Sequence, residues 1–444
     1  FKDKYLLNAS IRADAGSQFY GDNLWAYLPS VGAGWVISNE DFMKDQAFFN
    51  TLKLRGSWGK VGNAGVPINP TILTVTQIPA YTAIFGADQM PYTGRSIASI
   101  VPPAILVERG VGTDIGIEAA MLNNRFTFEV DYYSRTTEQA IFDIPVLNSI
   151  GTASGKLIGN QASFRNRGFE FAAGWRDKIG SDFSYSLNGN FSINDNKVIS
   201  VVTGRNPIYA GGGGLTNGAL STRTVVGGAI GEFYGYQVAG IFQNQAEIDE
   251  SLQTSAKPGD FKFADTNNDG KLDGSDRVDL GSPNAKYFYG FNTSFTYKNF
   301  DLALDFQGVA GVSVYNANNP FRFGNENFTK DFYDNRWHGE GTSNTYPSAD
   351  VGKNANAVPN SFFVESGAYF RIRNAQLGYT LPAGLLSKLN IKKIRIYANA
   401  QNPLNVFKYT GFSPEIGGTP TNAGIDANIY PLYATYNFGV NVTF

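Results

Sequence analysis

From Phe183 to Asn194 the chain alternates without a slip. Phe183, Tyr185, Leu187, Gly189, Phe191 and Ile193 fall on one face; Ser184, Ser186, Asn188, Asn190, Ser192 and Asn194 fall on the other. A period of two is that of a β-strand, whose successive side chains point to opposite sides. A second face of small uncharged polar groups fits a water-filled lumen better than a protein core. The chain ends in the same way. Tyr436, Phe438, Val440, Val442 and Phe444 alternate with Thr435, Asn437, Gly439, Asn441 and Thr443. Strands with one greasy and one wet face, and every backbone group paired, predict an all-β fold: a transmembrane antiparallel β-barrel.

Composition agrees by exclusion. The 444 residues are 42% hydrophobic, and no run of about 20 apolar residues marks a membrane helix. A barrel evades that test because only alternate residues meet lipid. The 34 Phe and 24 Tyr suit strands and interfacial girdles. A net charge of −2 gives no footprint for nucleic acid. With no Cys and a single His, His338, thiol catalysis, Cys-ligated zinc and a Ser-His-Asp set have no basis. No enzyme is expected.

The alternation predicts twelve long strands, near 5–14, 25–38, 50–61, 108–121, 126–135, 163–176, 183–195, 286–297, 300–311, 367–381, 393–402 and 434–444. Connections alternate between short, as at Lys298–Asn299, and long, at 62–107, 136–162, 196–285, 312–366 and 403–433. Barrels of the outer membrane have short periplasmic turns and long extracellular loops. Counting back from an inward-running last strand puts every short turn on one side. Segment 222–243 then holds either no barrel strand or two, and is assigned to the loop. A phase switch near Asn374 predicts a β-bulge. Glu129, Asp131, Glu170 and Asp305 are expected to face the lumen and to pair with Arg135, Arg165 or Arg395.

Several segments, in order along the chain, resemble one family: the SusC-like TonB-dependent transporters of Bacteroidota. They include YLLNASIRAD at 5–14, YLPSVGAGWVISNEDFMKD at 27–45, LKLRGSWGKVGN at 52–63, NRGFEF at 166–171 and GEFYGYQVAGIFQ at 231–243. GDFKFADTNNDGKLDGSDRVDLGSP at 259–283, AYFRIRNAQLGYTLP at 368–382 and IRIYANAQNPLNVFKYTGFSPE at 394–415 continue the series. The resemblance implies a barrel of about 22 strands around a globular plug, of which residues 1–444 would be one C-terminal part and the plug absent. An open twelve-stranded sheet leaves two edges in lipid, so the remaining strands are expected from the same polypeptide, with a second polypeptide as the alternative source. The resemblance further implies TonB acting through that absent part and a SusD-like lipoprotein as lid. The cargo would be a glycan or an oligopeptide. Tyr436, Phe438, Val440, Val442 and Phe444 are similar to the ending read by the barrel-assembly machinery.

Two local features carry candidate chemistry. Asp265, Asn267, Asp269, Gly270, Lys271, Asp273 and Asp276 occupy positions 1, 3, 5, 6, 7, 9 and 12 of an EF-hand-type loop within 259–283. Calcium requires six to eight hard oxygens, and this spacing wraps them around one point. Asp276 stands where such loops carry Glu. The competing reading is a polar turn held by Asx side chains. In the long loop 312–366, Phe321, Phe323, Arg336, Trp337 and His338 could stack on cargo or meet a lid; packing between loops is the plainer role.

Import is the leading expectation. An outer-membrane structural or assembly component that keeps the barrel without transporting is a second reading, and a soluble calcium-binding adhesin a third.

Overall fold

In the computed structural model, the described residues are 1–444 except 20, 64, 66–71, 101, 103, 213–218, 324–326, 351–354 and 387–390. Twelve strands form one continuous antiparallel sheet in chain order. They are β1 (Tyr5–Ala15), β2 (Trp25–Val36), β3 (Phe49–Asn63), β4 (Glu108–Met121), β5 (Phe126–Pro145), β6 (Lys156–Ile179), β7 (Phe183–Val201), β8 (Tyr287–Tyr297), β9 (Phe300–Ala310), β10 (Tyr369–Thr380), β11 (Lys393–Phe407) and β12 (Thr435–Thr443). All twelve predicted strands are present. Each pairs with its sequence neighbours, so register follows from the hairpins. The bulge is real: β10 pairs Asn374 with Asp305 and then Ile372 with Phe306, leaving Arg373 unopposed.

Ile115, Ile117, Phe169, Phe171, Phe438 and Val440 are exposed on one side of the sheet. That is the lipid-facing side of a barrel. The other side carries hydroxyls and amides: Ser10 meets Ser30 at 2.8 Å, and Asn188 donates to Asn292 at 3.0 Å. Among the described residues no helix is long and apolar enough to cross a membrane.

Strands β5, β6 and β7 run past their predicted ends, shortening the expected loop 136–162 to residues 146–155. Their extensions bury Ala140, Phe142, Ile144, Ala162 and Val198 with Ile208 and Ile230, and this rim core loses the lipid-facing alternation that marks the lower strand. The segment 222–243 adds no barrel strand. It contributes Thr222–Thr224, Glu232–Tyr236 and Val238–Ile241 to small sheets within the long loop. Sequence reading missed one hairpin, Val75–Phe85 with Met90–Ile97. Pro79 falls inside its first strand, and proline argues against a strand interior.

Hydrophobic cores sit at the long-loop end. The largest joins Phe233, Ile241, Phe261, Tyr315, Phe323, Phe332 and Phe363 from two loops. At the opposite end, Glu40 on the turn after β2 accepts from Lys4 Nζ (3.0 Å), Tyr5 Oη (2.7 Å) and Trp35 Nε1 (3.0 Å). The Tyr5 hydroxyl, then Lys4 and Trp35, hold its carboxyl below the usual range.

Candidate functional site

The lumen wall is organised by charged side chains that lie flat across three strands. Arg55 on β3 pairs with Gly116 on β4, which pairs with Asp131 on β5. Gly116 has no side chain to block the path. A Cβ there would come within 1.7 Å of an Asp131 carboxylate oxygen. The Asp131 carboxylate therefore lies over Gly116, where Arg55 meets it at 2.8 Å, with Glu129 at 2.5 Å. Asp114 and Glu118, two residues either side of Gly116, flank it at 2.8 and 2.6 Å. Lys53 adds a second cation, 3.2 Å from Glu118. A related arrangement occurs on β9–β11: Arg395, opposite Thr380, lies diagonally over Gly378 to bond Asp301.

These pairings correct the sequence expectation. Glu129 and Asp131 meet Arg55, not Arg135 or Arg165, and Arg395 meets Asp301 rather than the carboxylates expected for it. Among the described residues, neither Glu170 nor Asp305 forms an ion pair. Arg55 does sit at lumen parity, between outward Leu54 and Gly56, and that was the available signal. Asp131 and Glu129 lie two strands away, where register is not legible from one sequence.

The loop aromatics turn inward. Phe323 is fully buried, with Phe332 at 5.9 Å and Phe363 at 6.4 Å. Its expected contact with cargo or lid gives way to packing. Trp337 is half-buried against the same core and donates from Nε1 to Gln243 at 3.3 Å. Arg336 stacks 3.5 Å over the Tyr333 ring, and exposed His338 places Nδ1 3.0 Å from the Arg336 carbonyl. The side chain of Phe321 lies outside the described residues. Beside this core, buried Glu232 accepts from Arg223 at 2.8 Å. Burial pushes its carboxyl up, and Arg223 opposes that shift.

The 265–276 loop is folded on its own amides. Asp265 accepts from Gly270 N–H at 3.0 Å, Asn267 from Asp269 N–H at 2.9 Å, and Asp269 from Lys271 N–H at 2.9 Å. Asp273 caps Ser275 at 2.8 Å, and that backbone amide holds its carboxyl below the usual range. Asp276 is fully buried, and both its oxygens are engaged, by Thr266 N–H at 3.0 Å and Asp273 N–H at 2.8 Å. Among the described residues no three His, Cys, Asp or Glu side chains converge as metal ligands. The donor set is nonetheless all hard oxygen, and five of the six positions keep exposed or half-exposed ligands.

Comparison with known proteins places this wall in a family. The sequence profile described as "TonB dependent receptor-like, beta-barrel" matches residues 1–316. TonB-dependent receptor P26 of Formosa agariphila is 32% identical over the whole chain, which covers 45% of that protein. TonB-dependent receptor SusC of Bacteroides thetaiotaomicron is 26% identical, again over the whole chain and 42% of the relative. Among solved structures, the RagAB peptide transporter superposes with a TM-score of 0.80 at 23% identity, covering all of this chain and 46% of that one. The chain thus spans less than half the length of the relatives it matches, and its sheet is part of a barrel. It belongs to the TonB-dependent receptor-like β-barrel family of the outer membrane and is SusC-like within it.

Proposed function

We propose that the protein containing this barrel segment imports a glycan or an oligopeptide across the outer membrane, driven by TonB and capped by a SusD-like lipoprotein. The observation that carries the reading is a polar lumen wall on a family-matched sheet, continuous over twelve strands. The long-loop end supports a lid. There the hairpin Val75–Phe85/Met90–Ile97 leaves Ile84, Phe85, Met90 and Tyr92 more than half exposed, and a two-stranded hairpin with such a surface needs a cover. Half-buried Arg336 and exposed His338 stand at the same end. Tyr436, Phe438, Val440, Val442 and Phe444 serve as the assembly signal in this reading. The test is uptake of labelled oligosaccharide and oligopeptide pools by cells with and without the full-length gene. One pool should enter only when gene and TonB are both present. Equal entry of both pools without TonB would overturn import.

We also propose that Asp265, Asn267, Asp269, the Lys271 carbonyl and Asp273 hold calcium. Asp276 stays bound to its amides, so water completes the shell. Five protein donors without a bidentate twelfth position fit the weak extracellular class, with Kd about 0.1–1 mM. Calorimetry on chelator-treated protein should show that affinity, and Asp265→Ala should remove it. Absence of heat up to several millimolar calcium would leave the loop as an Asx-stabilised turn.

A further inference from the structure

On the lumen side of β10, near the long loops, Arg371 and Tyr369 are each 7% exposed. Both bind one carboxylate, that of Glu415 on the connection from β11 to β12. The Tyr369 hydroxyl donates to Oε1 at 2.8 Å, and Arg371 donates from Nη2 to Oε2. Arg371 is fixed for this role. Its guanidinium stacks on the Tyr369 ring at 4.6 Å, and Gln307 donates to the Tyr369 oxygen at 3.2 Å. A cleft of about 120 Å³ opens beside it, walled by Asn405, Phe407, Phe412 and Ser413. The Nε–H of Arg371 has no hydrogen-bond partner among the described residues.

We propose that this is a carboxylate-binding subsite, and that Glu415 is its internal occupant. A rigid guanidinium with an unused donor is costly to bury, and its planar fork matches a carboxylate. Glu415 is the weaker holder of the site. Its side chain is 35% exposed against 8% for Arg371, and it rides on a loop rather than on the wall. An incoming carboxylate takes Nε and displaces Glu415, which releases the 408–434 connection from β10. The cleft admits a carboxylate with one small neighbour, the dimensions of a peptide C-terminus or a uronate group. The proposal deepens the import reading and rests on it for the carboxylate being cargo.

The experiment is equilibrium binding to the full-length transporter purified in detergent, where TonB plays no part. Failure of import therefore shows in uptake and failure of the subsite in binding. The probes are N-acetyl-trialanine with its C-terminal amide, and tetragalacturonate with its methyl ester. The acid should bind and the neutral partner should not. Glu415→Gln removes the competing charge and should tighten the acid by about tenfold or more. Arg371→Gln should abolish binding, with heat-modifiable gel mobility confirming a folded barrel. If that variant does not fold, Glu415→Gln decides alone. Tightening for trialanine only identifies a peptide terminus, for tetragalacturonate only an acidic glycan, and for both a general carboxylate site. Acid and neutral probes binding alike, or Glu415→Gln leaving the acid's affinity unchanged, would overturn the proposal.

Discussion

Arg55→Met should destabilise the barrel by about 3–5 kcal/mol, the cost of leaving a buried carboxylate without its partner. Four carboxylates converge on this one guanidinium. They do not weigh equally. The Glu129 side chain is 43% exposed and solvent screens it. The Asp131 side chain is 8% exposed, so its charge has nowhere else to go. Met keeps much of the volume and removes only the cation. The loss should appear as a lower temperature for heat-modifiable mobility of the full-length protein. The double variant Arg55→Met/Asp131→Asn should recover most of it, because the remaining carboxylates reach water. A single variant as stable as wild type would mean that the network is ornamental; a double variant no better than a destabilised single would mean that the loss does not come from the orphaned Asp131 carboxylate. Gly116→Ala is a second route to the same loss, since a methyl group there would fall on the Asp131 carboxylate and push it from Arg55.

The barrel strands were legible because lipid and lumen impose opposite chemistry on adjacent residues. That is why Phe183 to Asn194 could be placed on two faces, and why a switch of phase near Asn374 revealed a bulge at Arg373. Legibility ended where the constraint ends. Above the membrane, β5, β6 and β7 pack against Ile208 and Ile230 instead of lipid, and the alternation no longer announces a strand. Candidate sites were legible in residue type and less so in role. The acidic spacing of 265–276 marked a turn that is indeed built on its aspartates, yet the depth of Asp276 could not be read. Phe323 and Trp337 were picked out as loop aromatics. Their burial depended on Phe261, Tyr315 and Phe363, which come from two separate loops and share no local pattern. Arg371 and Glu415 are 44 residues apart, and only pairing of β10 with β11 and the return of the loop join them.

Phe363→Ala should detach the loop cap from the wall beneath it. Phe363 is fully buried and is the ring at which the loops meet: Phe362 at 5.6 Å, Tyr315 at 6.0 Å, Phe261 at 6.2 Å and Phe323 at 6.4 Å. Removing a buried Phe side chain costs about 3–5 kcal/mol, and edge-to-face partners lose their complement as well. The loss should stay local. The cap core uses residues from the long loops, whereas the wall is held by strand pairing that does not pass through Phe363. Regions with separate contacts open at separate free energies. Hydrogen exchange should therefore quicken in 232–263 and 313–335 while β7, β8 and β9 keep wild-type protection. Proteolysis should cut the same loops and leave the heat-modifiable band intact. Unchanged exchange in the cap would mean that Phe363 is replaceable there. Loss of protection in β7–β9 at the same rate would mean that cap and wall are one cooperative unit. A cap that opens alone lets the loops move over a wall whose strand pairing stays intact.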